Sequence, residues 1–243
     1  MPNSFFQFKK FTVHQDRSAM KVTTDACLFG AWVAKKVKSQ NPKVKTVLEI
    51  GAGTGLLSLM IAQQSSAMID AIEIDVDAEQ QAKENMDRSP WPDRFQVIHG
   101  DAREYPYVIK YDLIISNPPF YEKEIMSDKE TKNIAHHSSA LSLKELLSII
   151  TSNLAEQGRF FLLLPYKRNK EVINLLKQQS FAVEKIVFIR QSVNHHYFRM
   201  MIEGCWLTSK STEIQFEDLS IWNEGQDYTV EFKLLLKEYY LKL

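Results

Sequence analysis

Cysteine is scarce in this 243-residue chain, which holds only Cys27 and Cys205. Two cysteines so far apart in sequence are too few for a disulfide framework or a cysteine-based metal site, and they suit a reducing compartment. No apolar run approaches the roughly 18 residues that a bilayer crossing needs, and the N-terminus lacks the apolar core of a signal peptide. The sequence therefore predicts a cytoplasmic protein without membrane association.

A net charge is also lacking, because 30 Lys and Arg residues balance 30 Asp and Glu residues. This balance excludes a polycation that holds nucleic acid by bulk charge. The charge is nevertheless uneven: residues 1–46 contain nine basic and two acidic residues, whereas residues 212–243 contain three basic and seven acidic ones. Any anionic partner must therefore bind to a locally basic patch, for which the basic N-terminal segment is a candidate. A solvated, lysine-rich helix near 31–40 is the alternative interpretation.

Glycine and proline are not enriched, with eight residues of each, and 44% of the chain is hydrophobic. Such a composition is typical of a globular protein, and the length suits one domain. Short apolar runs alternate with amphipathic stretches, which predicts a parallel sheet built from βαβ units. The predicted strands are 46–50, 68–74, 95–99, 111–116, 159–164, 183–189 and 197–207. The predicted helices are 55–64, 78–88, 143–154, 168–179 and a terminal one over 226–242.

The boundaries of the chain's parts are only weakly marked, because no repeat or linker is visible. We expect a single compact unit in which residues 1–45 form an N-terminal extension that packs on a domain of residues 46–243. Ser142 and Glu145 have the spacing of a capping box, which predicts a helix start. Residues 117–141 show little periodicity, and loops of this length inside a compact domain tend to be functional or mobile.

A glycine-rich turn follows the first predicted strand of this domain, in the order Glu49-Ile-Gly51-Ala-Gly53-Thr-Gly55. Glycines allow a sharp turn and a close approach of a ligand to a helix N-terminus. Glu73 lies at the end of the next strand, where a carboxylate can accept both hydroxyls of a ribose. The alternative is a purely structural turn with an exposed Glu73. Asp75 and Asp77 precede the next helix and can simply cap it.

The fourth predicted strand of the domain ends in Asn117-Pro118-Pro119-Phe120. Two successive prolines hold the chain in a stiff, extended turn at the sheet edge where α/β proteins bind ligands. The amide oxygen of Asn117 and the carbonyl of Pro118 can accept the two N–H groups of an aromatic amine, while Phe120 can stack on its ring. The histidine pairs His136-His137 and His195-His196 lack the helical spacing of zinc ligands, so we predict no metal.

The G-x-G-x-G spacing behind Glu49 resembles the class I S-adenosylmethionine-dependent methyltransferases. This resemblance implies a Rossmann-like fold, with a seven-stranded, mostly parallel sheet flanked by helices, and S-adenosylmethionine as cofactor. It further implies that Glu49 and the Gly51–Gly55 turn bind the cofactor, with the turn holding the methionine portion, Glu73 the ribose, and Asp101 with Ala102 the adenine. The alternative for Asp101 is a turn-forming residue after Gly100.

The Asn117–Phe120 motif resembles that of methyltransferases acting on adenine N6, guanine N2 or glutamine N5. The N-terminal elements Phe6-x-Phe8-Lys9, Met20-Lys21-Val22 and Gly30-Ala31-Trp32 resemble the bacterial tRNA1(Val) (adenine-37-N6)-methyltransferases. This resemblance, which covers nearly the whole chain, implies methylation of the adenine beside the anticodon by a domain of residues 46–243. It also implies that Lys21, Thr24 and Asp25 lie over the methionine end of the cofactor.

The stretch from Arg190 to Arg199 combines cations with aromatic rings, which can contact the unpaired bases and phosphates of an anticodon loop. An ordinary hairpin connection is the alternative. The residues expected to bind RNA are Lys9, Lys10, Arg190, His195 and Arg199. We expect a monomeric tRNA methyltransferase; the alternatives are an enzyme for guanine N2 of rRNA or glutamine in a protein, and a catalytically inert RNA-binding scaffold.

Overall fold

A computed structural model describes residues 3–40, 43–118, 141–208 and 213–243. The strands of this part of the chain are β1 (Phe5–Gln7), β2 (Thr12–His14), β3 (Thr46–Ile50), β4 (Met68–Glu73), β5 (Phe95–His99), β6 (Tyr111–Ser116), β7 (Leu154–Pro165), β8 (Phe181–Ser192), β9 (Tyr197–Trp206) and β10 (Gln215–Trp222). The helices are α1 (Thr24–Gln40), α2 (Leu56–Gln64), α3 (Val76–Asp87), α4 (Leu143–Asn153), α5 (Asn169–Gln178) and α6 (Val230–Leu236).

The main sheet has the strand order β10-β8-β9-β7-β6-β3-β4-β5, and every strand except β9 points the same way. The predicted Rossmann-like fold is confirmed, but the sheet has eight strands instead of seven. Sequence periodicity missed β10 because its first four residues are exposed and only Leu219 and Ile221 are buried. An edge strand of this kind carries a weak hydrophobic pattern.

Helices cover both faces of the sheet and create two hydrophobic cores. Residues of α1, α2, α3 and α6 pack on one face, whereas residues of α4 and α5 pack on the other. The helix predicted near 31–40 begins earlier, at Thr24, and its residues 26–34 are buried. It is therefore a core helix with lysines near its end, and the interpretation as a solvated helix is wrong.

The ends of two helices can be compared with those predicted from the sequence. Ser142 Oγ accepts a hydrogen bond from Glu145 N at 3.2 Å, and Ser142 N donates to Glu145 Oε2 at 2.8 Å, which confirms the capping box. The terminal helix is shorter than predicted, because the Thr229 side chain caps its start and the helix ends at Leu236. Tyr239 nevertheless packs in the core, 2% exposed.

The parallel strands bring their C-terminal ends to one edge, which we call the carboxyl edge of the sheet. Asn117 follows β6 there, between the turns that leave β3 and β7. Within the described ranges, no helix is both long enough and apolar enough for a transmembrane span.

Candidate active site

A cavity of about 410 Å³ opens at the carboxyl edge, above β3, β4, β5 and β6. Its volume lies in the range of small-molecule binding sites. Seven of the residues predicted to act on the cofactor or substrate line it: Gly51, Gly53, Glu73, Asp101, Ala102, Asn117 and Pro118. Segments that are distant in sequence therefore converge on a single site.

The glycine turn forms the floor of the cavity. Gly51 and Gly53 have φ angles of +78° and +57°, and a Cβ atom built on either glycine would meet no atom within 4 Å. The backbone therefore leaves open space in which a ligand can approach it closely. Gly55 has a different role, because a Cβ there would lie 2.9 Å from Met86 Cε. It allows α2 and α3 to pack closely and is not among the lining residues.

Glu73 connects the glycine turn to the end of β4. Its Oε2 accepts a hydrogen bond from Gly53 N at 2.8 Å, and its Oε1 accepts from Ile74 N at 2.9 Å and Asp75 N at 3.0 Å. A carboxylate offers about four acceptor sites, so this half-buried group can still accept a ligand hydroxyl. Asp75 also lines the cavity, and its side chain caps α3 by accepting Ala78 N at 2.9 Å.

Asp101 follows β5 and carries a further carboxylate of the cavity, beside those of Glu73 and Asp75. The Arg103 guanidinium donates to both of its oxygens, at 2.9 and 3.0 Å from Nε, and also reaches Glu145 at 3.2 Å. These hydrogen bonds from Arg103 lower the pKa of Asp101. The turn-forming role is present too, since Asp101 Oδ1 accepts Arg103 N at 2.9 Å. The carboxylate is thereby oriented as an acceptor at the cavity wall.

Asn117 and Pro118 form the end of the cavity next to β7. Asn117 is half-buried and Pro118 is buried, so the amide is presented from a backbone that packing holds in place. The predicted partners Pro119 and Phe120 lie outside the described residues, as do His136 and His137.

Glu49 departs from its predicted role as a cofactor ligand. It is 1% exposed, and its Oε2 accepts the backbone N–H of Ser58 at 3.0 Å together with the Ser58 hydroxyl. The carboxyl group therefore holds α2 beneath the glycine turn and does not line the cavity. Burial raises the pKa of Glu49 to about 8.

This raised pKa predicts a pH-dependent stability. A carboxyl group that binds its proton more tightly in the folded state destabilises the fold as the pH rises from its unfolded pKa toward 8. A difference of one between the folded and unfolded pKa corresponds to about 1.4 kcal/mol, so we expect the wild-type free energy of unfolding to fall by a few kcal/mol between pH 5 and 8. Glu49→Gln should flatten this dependence, as measured by urea denaturation across that range.

The matched control is Glu156→Gln, which removes a carboxylate from an exposed position on β7. It should keep the wild-type pH profile. A Glu49→Gln profile as steep as that of the wild type would assign the pH dependence to another group.

The N-terminal segment supplies one wall of the cavity through Ser18, Ala19 and Met20, which sequence reasoning missed. Lys21 does not line the cavity: its Nζ donates to the carbonyl oxygens of Gln15 and Ser18, the latter at 2.8 Å. Its predicted role as a direct cofactor ligand is replaced by one in shaping this wall.

The predicted cofactor contacts at the start of α1 are also redirected. Thr24 is exposed, and neither it nor Asp25 is among the cavity-lining residues. Asp25 is buried and pairs with Arg199 of β9, with 2.8 Å between Oδ2 and Nε. Asp25, which was predicted to bind the cofactor, and Arg199, which was predicted to bind RNA, thus bind each other. Their ion pair joins α1 to the sheet.

A second residue that the sequence did not reveal is Asn85 on α3. Its side chain accepts His14 N at 2.9 Å and donates to His14 O at 2.8 Å and Thr54 O at 2.9 Å. It therefore connects the N-terminal segment to the glycine turn. No local pattern distinguishes this asparagine from other polar residues of an amphipathic helix.

The residues predicted to bind RNA fall at opposite edges of the sheet. Arg190 and His195 lie near the carboxyl edge, where His195 Nδ1 is 2.6 Å from Ser192 Oγ. Lys9 and Lys10 precede Phe11, and the centre of the Phe11 ring lies 6.3 Å from that of the Trp91 ring. Trp91 comes shortly before the start of β5. The parallel strands begin at the edge opposite the carboxyl edge. Lys9 and Lys10 therefore lie far from the cavity, and their position does not support the predicted RNA contact. Lys9 Nζ instead donates to Lys237 O at 2.6 Å.

Comparisons with known proteins agree with this geometry. The family model of the methyltransferase small domain matches residues 31–177. The chain is 38% identical to the tRNA1(Val) (adenine(37)-N6)-methyltransferase of Dyadobacter fermentans over 99% of this chain and 98% of that protein. It is 36% identical to the protein of the same name from Parabacteroides distasonis over the full length of both.

A solved structure supports the fold independently. A predicted O-methyltransferase from Agrobacterium tumefaciens superposes with a TM-score of 0.67 at 16% identity, over 88% of this chain and 96% of that one. With full-length relatives well above 30% identity, the chain belongs to the family of tRNA1(Val) (adenine(37)-N6)-methyltransferases.

Proposed function

We propose that this protein transfers a methyl group from S-adenosylmethionine to N6 of adenine 37, beside the anticodon of tRNA1(Val). The observation that carries the proposal is the convergence of the glycine turn, Glu73, Asp101 and Asn117 on one cavity. The names of the full-length relatives supply the substrate.

The cavity suits the cofactor in three respects. The open space above Gly51 and Gly53 admits a ligand against the backbone. Glu73 can accept a ribose hydroxyl, and the oriented Asp101 carboxylate can accept the amino group of an adenine. When bound, S-adenosylmethionine supplies an electrophilic methyl group on a sulfonium.

Asn117 and Pro118 make the target nitrogen reactive. The exocyclic amine of adenine is a poor nucleophile, because its lone pair is delocalised into the ring. If the side-chain oxygen of Asn117 and the carbonyl of Pro118 accept its two N–H groups, the nitrogen is drawn toward tetrahedral geometry and its lone pair is aimed at the methyl group. A strong base is unnecessary, since the proton can leave after transfer.

The target base must reach this cavity, and an unpaired base of an anticodon loop can be turned outward into such a site. We infer that the anticodon loop approaches the carboxyl edge, where Arg190, His195 and Arg199 lie, and that a monomer acts without a metal ion. A tRNA substrate also implies a cytoplasmic reaction.

The decisive experiment incubates the protein with labelled S-adenosylmethionine and, in parallel reactions, with transcripts of tRNA1(Val), with rRNA and with a protein extract, followed by analysis of the labelled nucleosides and amino acids. We expect N6-methyladenosine, and no label in a transcript with guanosine at position 37. Label in methylguanosine of rRNA or in glutamine of a protein would favour the alternative enzymes. An absence of transfer to any of these substrates would favour a binding scaffold.

The salt dependence of tRNA binding tests which edge the RNA contacts. Arg190→Gln should make the slope of log affinity against log salt shallower by about 0.7, the value for one phosphate contact to a single strand. Lys10→Ala, which removes one charge from the opposite edge, should leave the slope unchanged. Fluorescence anisotropy over a salt series measures both, and a change confined to Lys10→Ala would place the RNA on the other edge.

A further inference from the structure

Four aromatic rings cluster on or just after the strands that lie beyond β6 in the sheet, although the sequence separates them widely. Tyr166 follows β7, Phe188 lies on β8, Tyr197 begins β9, and Phe216 lies on β10. The ring centroids are 5.2 Å apart for Tyr166 and Tyr197, 5.3 Å for Phe188 and Tyr197, and 5.9 Å for Phe188 and Phe216. We call this group the aromatic shelf.

The shelf is accessible to a ligand. Phe216 is 58% exposed, and the other three rings are only partly buried. A large aromatic side chain seldom remains so exposed without a partner when it belongs to a contiguous apolar patch. The rings therefore form a surface on which a flat molecule can stack.

The aromatic shelf lies on the side of the active site toward β7. β7 is the neighbour of β6, which ends at Asn117, and β9 and β8 follow next in the sheet. Neighbouring strands are about 4.8 Å apart, so Tyr166 and Tyr197 lie one and two strand spacings from the end of β6. A polynucleotide whose target base enters the cavity can reach the shelf with its adjoining nucleotides.

The charges around the shelf favour bases as its main contacting groups, with Arg190 beside it for a single phosphate. The Arg190 guanidinium carbon lies 5.5 Å from the centre of the Tyr197 ring, and its Nε donates to Ser220 Oγ. The Asp218 carboxylate lies close enough to the Tyr197 hydroxyl to raise its pKa, and Arg199 is neutralised by Asp25. These two cations and two carboxylates balance, as does the Lys185–Glu217 pair next to Phe216, so the rings themselves offer an uncharged contact surface.

We propose that the aromatic shelf stacks the unpaired nucleotides that adjoin the target adenine and thereby positions the RNA. The proposal rests on the function proposed above, because it assigns the shelf to the RNA substrate of that site. Base stacking on aromatic side chains tolerates any sequence and adds affinity without adding charge.

Phe216→Ala tests the shelf at its most exposed ring, where folding is least affected. We expect KM for tRNA to rise about tenfold, within the range of one lost stacking contact. The kcat value, the affinity for S-adenosylhomocysteine and the salt slope should stay the same. Phe216→Trp keeps an aromatic ring and should have the wild-type KM. The fluorescence that this tryptophan adds should be quenched by an RNA hairpin with an unpaired loop but not by a blunt RNA duplex.

The matched control is Phe5→Ala, which removes a ring of similar exposure, 49%, from β1 outside the main sheet. It should leave KM unchanged. An equal effect of both alanine variants, or none at Phe216, would overturn the proposal. So would a shift of oligomeric state in Phe216→Ala with unchanged KM, because the shelf would then contact a second copy of the chain.

Failure of the proposed methyltransferase activity can be distinguished from failure of the shelf proposal. If the wild-type protein methylates no tRNA, the proposed activity is wrong, whereas quenching of Phe216→Trp by the hairpin still reports on the shelf. If the wild-type protein methylates adenine 37 and the hairpin causes no quenching, only the shelf proposal fails.

Discussion

Asn117→Ala is expected to lower kcat by about two orders of magnitude, the typical loss when one preorganised polar group is removed from a transition state. Asn117 lies at the carboxyl edge, in the wall of the cavity that also holds the glycine turn. Its amide oxygen would act on the target amine, whereas the residues that orient the cofactor remain in place. Single-turnover methylation of tRNA1(Val) measures the loss.

Three further measurements make this prediction specific. The affinity for S-adenosylhomocysteine should change little, since the variant retains Glu73 and Asp101. Asn117→Asp keeps an acceptor oxygen and should retain more activity than the alanine variant. Asn223→Ala, in an exposed turn away from the cavity, should behave as wild type. Near-normal turnover of Asn117→Ala would refute its catalytic role.

Glu73→Ala should act mainly on cofactor affinity. Hydrogen bonds to a ribose are present in both the ground and the transition state, so their loss weakens binding uniformly. A hydrogen bond to a charged group contributes about 1.5–3 kcal/mol, and Glu73 also holds Gly53 N at 2.8 Å. We therefore expect calorimetry to show S-adenosylhomocysteine binding weakened by at least that amount.

A cofactor analogue separates the two roles of Glu73. The wild-type protein should bind 2′-deoxy-S-adenosylhomocysteine more weakly than S-adenosylhomocysteine, whereas Glu73→Ala should no longer distinguish the two ligands. If Glu73 only supports the turn, the variant will keep the wild-type preference. Glu156→Ala, at an exposed position on β7, is the matched control and should alter neither affinity.

Most of the α/β architecture could be read from local patterns. The runs at 46–50 and 111–116 are strands with those bounds, because buried central strands have strongly apolar sequences. The run at 95–99 also has the predicted bounds, although β5 is an edge strand in which only Ile98 is buried. Asn117 and the glycines of the turn also stood out, since their spacing after a strand has a direct chemical meaning. In contrast, β10 and the early start of α1 depended on packing against neighbours, which no short window contains.

Local sequence patterns were sufficient to predict the order of most strands and helices, the glycine turn after β3, the acidic residue at the end of β4 and the amide after β6. Which side chains face the ligand depends instead on the tertiary structure. Glu49 turns toward Ser58, Asp25 pairs with Arg199, and Lys9 lies at the edge opposite the cavity. The tertiary structure also brings together the rings of the aromatic shelf from four segments. The physical reason is that side-chain partners across a sheet depend on strand order and helix packing, to which residues distant in sequence contribute.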